Sequence, residues 1–427
     1  MATRIHTAAL PGGMGRFSRG WLLVTSLLLV LVAAGAFAYA LQLIEGDIVT
    51  GMRDVGTMGG APWGLYVTFD IYFGGVGFAA LSLAALIRLF DLRPLRPLFR
   101  IALLLGAISA ILAGLAIIAD LGQPFRGLVN LFRYGRPGSP FFGTATLAFT
   151  GLLFASLVYL YLEGRKDAAL LAGRQTPLRW FYRAWAAGYR GTPEEQLRHQ
   201  RASFWLALVI LPLLVIAHST LGFVFGLQSG RAGWYSALQA PAFVVLAAAS
   251  GVGVLIVAAG VLRALLGEGE RLNVTLFGWL SNLLTAAILV YLYFLGAELL
   301  TSGYEGRGYE TQVTEALLMG ECAPLFWLSG ALLVAGFGIG ASQTLTRRYH
   351  LPSIVLAGIL VNLAAIGKRY LIVVPSLTHG SLLPYPTGSY SPSWVEYAFI
   401  LGLFAFGTLL FVLFMKVFPV MEVRETD

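Results

Sequence analysis

Ten apolar stretches, each long enough to cross a lipid bilayer as a helix, recur along this chain of 427 residues. A helix needs about 20 mostly apolar residues to cross the hydrocarbon core. Helices are the expected spanning element, because a lipid-exposed backbone must satisfy its own hydrogen bonds and the alternation typical of strands is absent. We predict spans at 21–45, 63–89, 98–119, 141–163, 202–227, 238–266, 274–300, 315–345, 351–374 and 394–418.

The composition agrees with a polytopic all-α membrane protein. Hydrophobic residues make up 58% of the chain and charged residues 12%, whereas soluble proteins carry about 25% charged residues. The net charge of +8 therefore indicates basic loops beside a membrane, and no nucleic-acid partner is expected. The single cysteine, Cys322, excludes an internal disulfide, a cysteine-ligated iron–sulfur cluster and a CxxCH haem attachment within the chain.

The basic residues predict an orientation for the ten spans. If the N-terminus lies inside, 21 of the 29 Lys and Arg residues fall on the cytoplasmic side and 8 on the other. Cytoplasmic loops are enriched in Lys and Arg, and an odd number of spans would scramble this partition. We therefore predict a multi-pass protein of the bacterial cytoplasmic (inner) membrane, with both termini and the 164–201 loop in the cytoplasm.

The loops on the two sides differ in character. The cytoplasmic loop contains the aromatic and basic stretch Arg179–Trp185, which is either an amphipathic helix on the membrane surface or a loop anchored by interfacial aromatic residues. The outer segments Asp120–Arg126, Gly230–Tyr235 and Pro384–Trp394 are rich in Gly, Pro and aromatic residues. We predict that they form rigid, non-helical caps that together offer a docking surface for a partner.

Two carboxylates in the first half of the chain are candidates for proton transfer. Asp70 lies about two turns inside the second span, without a cation nearby in the sequence. Ionisable residues at this depth are costly, so Asp70 either exchanges protons or is a protonated side chain bonded to a neighbouring helix. Asp120 and Arg126 flank the turn after the third span. They either form a salt bridge or contribute to a proton exit or site wall at the outer surface.

His218 is the only histidine inside a predicted span. A bis-histidine haem in a membrane bundle needs two histidines on facing helices, so a buried haem b is not expected in this chain. An imidazole at this position could hydrogen-bond a quinone carbonyl and accept its proton, because it titrates in the useful range. The alternative is a structural histidine with satisfied hydrogen bonds.

Four ionisable residues lie within or at the edges of the seventh to ninth spans, and Glu321 is predicted to be the deepest. They form either structural ion pairs or part of a proton route. The four residues are Glu298, Glu321, Lys368 and Arg369.

The nucleotide-binding patterns GxxxxGK[ST] and GxGxxG after a strand do not occur in the sequence.

Several short strings, in this order and spacing, resemble the polysulfide reductase membrane-subunit (NrfD-like) family over about residues 20–420. One position departs from the family pattern: Gln123 stands where the turn usually reads Asp-Leu-Gly-Arg-Pro. The strings are Trp63-Gly64-Leu65-Tyr66, Asp120-Leu121-Gly122-Gln123-Pro124-Phe125-Arg126, His218 with Phe225-Gly226, Gly233-Trp234-Tyr235 before Ala240-Pro241, and Lys368-Arg369-Tyr370-Leu371-Ile372-Val373-Val374-Pro375-Ser376 running into Pro384-Tyr385-Pro386.

The resemblance implies a domain organisation. Members are built on two four-helix bundles, and ten spans are similar to larger forms such as those of alternative complex III. It implies a cytoplasmic segment at 1–20, a peripheral helix with outer loop at 21–62, a first four-helix bundle at 63–237, a second at 238–393, and a peripheral helix with cytoplasmic tail at 394–427.

The resemblance also implies a haem-free subunit that binds quinone, such as menaquinone, in a respiratory or photosynthetic complex. Such a subunit pairs with other membrane subunits and, on its outer face, with a ferredoxin-like iron–sulfur subunit and a molybdopterin or multihaem cytochrome subunit. His218 would contact a quinone oxygen beside Tyr66, Asp70 would transfer protons, and Asp120 with Arg126 would close the mouth of the site. The predicted proton pathway comprises Asp70, Asp120, Glu298, Glu321, Lys368 and Arg369.

Two other classes of function stay open from the residues alone. A secondary transporter would suit ten spans and buried acids, although the two halves show no matching pair of Gly/Pro-broken segments. A structural anchor would hold peripheral redox enzymes without binding quinone, and the buried Asp70 and His218 argue weakly against it. Co-purification separates the three classes, because a transporter would be isolated alone and an anchor with redox partners but no quinone.

Overall fold

The computed structural model describes residues 13–15, 17–53, 60–136, 138–139, 145–174, 176–305, 308–379 and 388–423. This part of the chain is all-helical, without a strand, as the sequence predicts. The helices are α1 (Arg19–Glu45), α2 (Leu65–Leu89), α3 (Phe99–Asp120), α4 (Pro124–Tyr134), α5 (Ala145–Ala172), α6 (Arg179–Ala186), α7 (Pro193–Gly226), α8 (Gln239–Leu266), α9 (Val274–Glu305), α10 (Gly308–Leu318), α11 (Ala323–Thr346), α12 (Leu351–Val373), α13 (Pro375–Thr378) and α14 (Trp394–Val417).

Nine helices in the described part are long and apolar enough to cross a membrane: α1, α2, α3, α7, α8, α9, α11, α12 and α14. The ends of the chain lie on one face of the bundle, where the Lys416 ammonium donates to the Gly13 carbonyl at 2.9 Å. Shared sidedness requires an even number of crossings, and the 28-residue α5 would make the ten predicted from the sequence. Residues 141–144 of the predicted fourth span lie outside the described residues.

The 164–201 loop packs on this same face, which we call the terminal face. Its aromatic and basic stretch is helical, as α6, rather than an irregular loop. Trp185 stacks on Phe418 with ring centroids 4.2 Å apart, while Trp180 is exposed. The contacts show that the loop and the chain ends share a side, and the assignment of that side to the cytoplasm stays a prediction.

The most buried helix is α2, which packs against α3, α7, α8 and α12. Glycines make the close approach possible: a Cβ on Gly251 of α8 would meet the Ala79 Cβ of α2 at 2.4 Å. Small residues at a membrane helix interface let backbones approach and pack. This crowding keeps water and lipid away from most of α2 and fixes the depth of Asp70.

Two predictions about local structure are wrong. The span predicted at 315–345 is interrupted, since α10 ends at Leu318 and α11 begins at Ala323. The cap predicted to be non-helical at Asp120–Arg126 instead leads into α4. Pro124 begins that helix, and proline suits the first helical position because its missing N–H has no partner there in any case.

Helix α4 itself stands apart from the bundle. Its apolar side chains recur at the helical spacing 125, 128, 129 and 132, but all four are exposed, with Phe132 89% and Phe125 82% accessible. Only Pro124 is buried. The apolar side of α4 therefore faces away from the described part of the protein, on the face opposite the termini.

Candidate functional site

Asp70 lies in the second turn of α2 and is 4% exposed. Its Oδ1 is buried and has no hydrogen-bond partner among the described residues. The carboxyl group is therefore buried, as the sequence predicts. The structural alternative requires a hydrogen bond to the backbone of a neighbouring helix, and Oδ1 forms no such bond among the described residues.

A group of polar side chains surrounds the end of α2 that faces away from the termini. The Tyr66 hydroxyl donates to Gln42 Oε1 at 2.8 Å, and Gln42 Nε2 donates to Asp47 Oδ1 at 2.9 Å and to the Ala119 carbonyl at 3.1 Å. These bonds join the end of α1, the start of α2 and the end of α3. We call Gln42, Asp47, Tyr66, Asp70 and Asp120 the outer acid cluster.

Asp120 completes this cluster at the last residue of α3. Its carboxylate interacts electrostatically with Asp70 and Asp47, and its Oδ1 is buried without a hydrogen-bond partner among the described residues. Like charges so close cannot all ionise without cost. The cluster can therefore hold and exchange protons.

Arg126 does not belong to the cluster. Its guanidinium lies exposed on α4 and donates to Gln123 Oε1 at 3.3 Å. Among the residues that the structure describes, no ion pair joins it to Asp120, so the salt bridge considered from the sequence does not form. The arginine is held at the surface because Pro124 starts a new helix that turns away from the end of α3.

His218 lies in a different place, between α7, α2 and α8. It is 2% exposed, its ring centroid is 5.0 Å from that of Phe78, and its Nε2 lies 3.0 Å from the Phe243 carbonyl oxygen. Because a carbonyl only accepts, Nε2 carries the hydrogen and Nδ1 is the acceptor of the neutral ring. That Nδ1 is buried without a partner among the described residues.

Arg369 of α12 reaches the same carbonyl. Its Nη2 donates to the Phe243 oxygen at 3.1 Å, and its guanidinium lies over the Phe243 ring, 4.1 Å from the centroid. Sequence reasoning assigned His218 and Arg369 to separate bundles and did not predict their meeting. A backbone carbonyl as the shared acceptor leaves no sequence signal.

Arg369 also lines a cavity of about 50 Å³ between α8, α9, α10 and α12. Lys368 and Glu298 line it too, and the Lys368 ammonium lies 5.2 Å from the centroid of the Phe326 ring. Glu298 interacts electrostatically with Lys368. However, no ion pair within 4 Å joins Glu298 to either cation in the described part, so the predicted close pairing is absent there.

Glu321 is not the deepest of these acids. It lies in the turn between α10 and α11 with its side chain 63% exposed, and its Oε1 is 3.6 Å from His379 Nε2. The sequence prediction is wrong here because the apolar run that it treated as one span is interrupted before this residue.

The structure thus groups the predicted site residues into two centres. Tyr66, Asp70 and Asp120 belong to the outer acid cluster, whereas His218 lies with Arg369. No hydrogen bond or ion pair joins Asp70 to His218 in the residues described. Sequence reasoning missed Gln42, whose one detectable signal was a polar amide within an otherwise apolar span.

Comparison with known proteins agrees with this architecture. The relatives include a putative membrane subunit of dimethyl sulfoxide reductase from Halobacterium salinarum, 30% identical over 98% of this chain and 96% of that protein. The Hdr-like menaquinol oxidoreductase integral membrane subunit of Archaeoglobus fulgidus is 26% identical over 94% of each chain. A selenate reductase subunit of Mesobacillus selenatarsenatis is 25% identical over 93% of this chain and 94% of that protein.

The family model described as "Polysulphide reductase, NrfD" matches residues 54–379. The match includes α2 to α12 and therefore every residue of both centres except Gln42 and Asp47. Together with the relatives, two of which are named as membrane subunits, it shows that this chain belongs to the polysulphide reductase NrfD family.

Proposed function

We propose that this chain is the quinone-binding membrane subunit of a multi-subunit electron-transfer complex. The name of the Archaeoglobus fulgidus relative refers to menaquinol oxidation, and the other two relatives are named as subunits of reductases. These names support a quinol-linked reaction, with menaquinol or a related quinol as the substrate class. The proposed reaction itself depends on buried side chains that can exchange protons with the quinone.

One observation carries this proposal. Asp70 Oδ1, Asp120 Oδ1 and His218 Nδ1 are buried side-chain atoms without hydrogen-bond partners among the described residues. Oxidation of a quinol to a quinone releases two electrons and two protons, and reduction takes them up. A site for this reaction needs groups that bind the two oxygens and exchange their protons, and these three side chains have that capacity.

The outer acid cluster is the proposed position of the quinone headgroup. Tyr66 and Asp120 would contact it near the face opposite the termini, and Asp70 would exchange its protons. His218 would accept or return a proton deeper in the first bundle, its Nε2 held by the Phe243 carbonyl. Arg126, exposed on α4 nearby, would meet the partner subunit at the mouth of the site.

Electrons must leave through another subunit. The sequence has a single cysteine, which cannot by itself ligate an iron–sulfur cluster. We therefore propose an iron–sulfur partner on the face opposite the termini, linked to a molybdopterin or multihaem subunit, with the quinone next to its nearest cluster.

In the alternative complex III arrangement, the protons exchanged with the quinone would cross the membrane. A route through Glu298, Lys368 and Arg369 is proposed for them, and the exposed position of Glu321 would suit its surface end.

Substitutions in the intact complex test this function. Asp70→Asn and His218→Ala each remove a proton acceptor while keeping helix packing, so quinol turnover should fall by about 10²–10⁴-fold. Glu298→Gln, which changes only the proposed proton route, should lose less turnover. The control Glu315→Gln, at an exposed carboxylate of α10, should keep near-normal turnover. Turnover and extracted quinone are measured together with subunit composition.

Near-normal turnover in both variants, with all subunits present, would place the quinone elsewhere. A preparation that holds the redox partners but no quinone would favour a structural anchor. Isolation of the chain without any redox partner would favour a transporter.

A further inference from the structure

The cavity between α8, α9, α10 and α12 is lined by buried hydrogen-bond donors that have no partner among the described residues. Arg369 Nη1 and Gln239 Nε2 are buried without partners among the described residues, and both residues line the cavity. The Lys368 ammonium faces the Phe326 ring and has no hydrogen bond to a described residue. The exposed fractions of Arg369, Gln239 and Lys368 are 2%, 3% and 6%.

The two cations that line this cavity have no close anionic partner. Glu298 is the one carboxylate among the lining residues that the structure describes, and it does not approach Arg369 or Lys368 within the 4 Å of an ion pair in the described part. Glu310 lies nearby and interacts electrostatically with Glu298, but its carboxylate accepts from the Gly233 N–H at 2.8 Å. Buried cations without a directly paired anion are unfavourable, so an anion that bonds both cations inside the cavity would be stabilising.

From these contacts we infer that the cavity binds an oxyanion with a single negative charge. Its oxygens would accept from Arg369 Nη1, the Lys368 ammonium and the Gln239 amide, and its charge would pair directly with the two cations. Guanidinium and ammonium groups are the usual ligands of phosphate oxygens. This site is separate from the outer acid cluster, although Lys368, Arg369 and Glu298 also belong to the proposed proton route. Anion binding is measured without quinol turnover and is therefore tested independently of that route.

The position of the cavity fits the phosphodiester of an anionic phospholipid. Lys368 lies five residues before the end of α12, about 8 Å below it at 1.5 Å per residue. On the side of α9 the cavity is lined by Leu295 and Leu299, which are half-buried and could border an acyl chain. A free phosphate monoanion from the aqueous side would offer the same chemistry.

Binding to the detergent-purified complex, stripped of lipid, tests the proposal. The probes are phosphatidylglycerol, phosphatidylcholine and inorganic phosphate, with bound lipid counted by native mass spectrometry and binding followed as a shift in melting temperature. Phosphatidylglycerol should bind more tightly than phosphatidylcholine, because the choline cation offsets the phosphodiester charge and would be repelled by Arg369 and Lys368. Binding of phosphate in competition with phosphatidylglycerol would identify the free anion as a second source, whereas equal binding of the two lipids would overturn the proposal.

Two substitutions should act in opposite directions. Lys368→Gln removes a charge-assisted hydrogen bond and should weaken phosphatidylglycerol binding about tenfold or more, whereas Glu298→Gln removes the competing carboxylate and should strengthen it. Asp70→Asn, in the outer acid cluster, should leave this affinity unchanged even if quinol turnover is lost. If Lys368→Gln does not assemble, Glu298→Gln alone decides, since an unchanged or lower affinity contradicts an anion site.

Discussion

His218 and Arg369, 151 residues apart in sequence, hydrogen-bond to one atom, the carbonyl oxygen of Phe243, at 3.0 and 3.1 Å. The acceptor belongs to α8, the histidine to α7 and the arginine to α12. This carbonyl fixes the orientation of the imidazole ring and ties together the two halves of the chain that were predicted to be separate bundles. Substitution of one donor is therefore expected to alter the hydrogen bond of the other.

The shared acceptor predicts that substitutions of the two donors are not additive. The free energies of unfolding of His218→Ala, Arg369→Gln and the double variant should give a coupling of about 0.5–3 kcal/mol. The control pairs His218→Ala with Glu396→Gln, which lies at the start of α14 and shares no partner with it. Its effects should add within about 0.5 kcal/mol. Strict additivity for His218 and Arg369 would show that the carbonyl does not link them.

A buried ion pair near the terminal face holds the chain's last described residues. Arg100 of α3 lies 2.7 Å from Asp167 of α5, and both side chains are at most 3% exposed. Arg100 also donates to the carbonyls of Pro419 and Met421. Arg100→Ala would leave Asp167 buried without its cation, so unfolding should become easier by about 3–5 kcal/mol.

Replacing both members of this pair distinguishes the loss of the ion pair from the cost of leaving one buried charge without its partner. The double variant Arg100→Met with Asp167→Leu should be less destabilised than Arg100→Ala, because no uncompensated charge remains. Protection of residues 418–423 from proteolysis reports whether the tail has detached. Equal stability of wild type and Arg100→Ala would contradict the role of this pair.

Glu396 at the start of α14 joins three segments on the opposite face. It is fully buried, its Oε2 accepts from the Gly51 and Ser393 N–H groups at 2.7 and 2.9 Å, and its Oε1 accepts from the Tyr390 hydroxyl. Glu396→Ala should cost about 1–3 kcal/mol for each buried donor left without an acceptor. Tyr390→Phe removes one of these bonds and should cost less, as chemical unfolding of the two variants would show.

The pH dependence of this contact follows from Tyr390. Burial and the nearby Glu396 carboxylate raise the pKa of its phenol well above 10, so the hydroxyl stays a donor throughout the physiological range. A raised folded-state pKa gives a contribution that is complete below the unfolded value of about 10 and is lost at higher pH. The stability difference between wild type and Tyr390→Phe should therefore be constant from about pH 6 to 9. A fall within that range would contradict a protonated Tyr390.

The predicted orientation can be tested with a membrane-impermeant thiol reagent on intact cells. A cysteine at Gly388 should react and one at Thr176 should be protected, in a Cys322→Ser background. In the protein that keeps Cys322, this cysteine should label slowly at neutral pH. Burial and the nearby Glu321 raise the pKa of its thiol to about 11, and the thiolate is the reactive form. Labelling at 176 with protection at 388 would reverse the topology.

The helical framework was predictable because membrane burial has a strong signature in sequence. Apolar runs of about 20 residues mark the spans, and Asp70 stands out in such a run because its cost in lipid is high. The interruption between α10 and α11 was missed because residues 319–322 form only a short stretch with a single charged residue. The helix α4 was missed because Gly and Pro drew the interpretation to a turn, although the spacing 125, 128, 129 and 132 carried the helical signal.

The site was predictable only in part. The burial of Asp70 and His218 could be derived from hydrophobic context, but their partners could not. Arg369 was predicted only to lie within or at the edge of a span, whereas it is 2% exposed. The acceptor of both His218 and Arg369 is a main-chain carbonyl, a group that every residue carries. Which carbonyl two side chains reach depends on helix rotation and register, and a single sequence does not record these.

The contact between Gly35 of α1 and Gly402 of α14, where an added Cβ would come within 3 Å of the facing Cα, has a consequence for how the chain is made. Helix α1 packs mainly against α14, which is synthesised much later. About 370 residues separate the end of α1 from the end of α14, a delay of roughly 20 to 75 s at ~5–20 residues per second. During biosynthesis α1 must wait in the lipid without its permanent neighbour, and its almost uniformly apolar surface suits it to that interval.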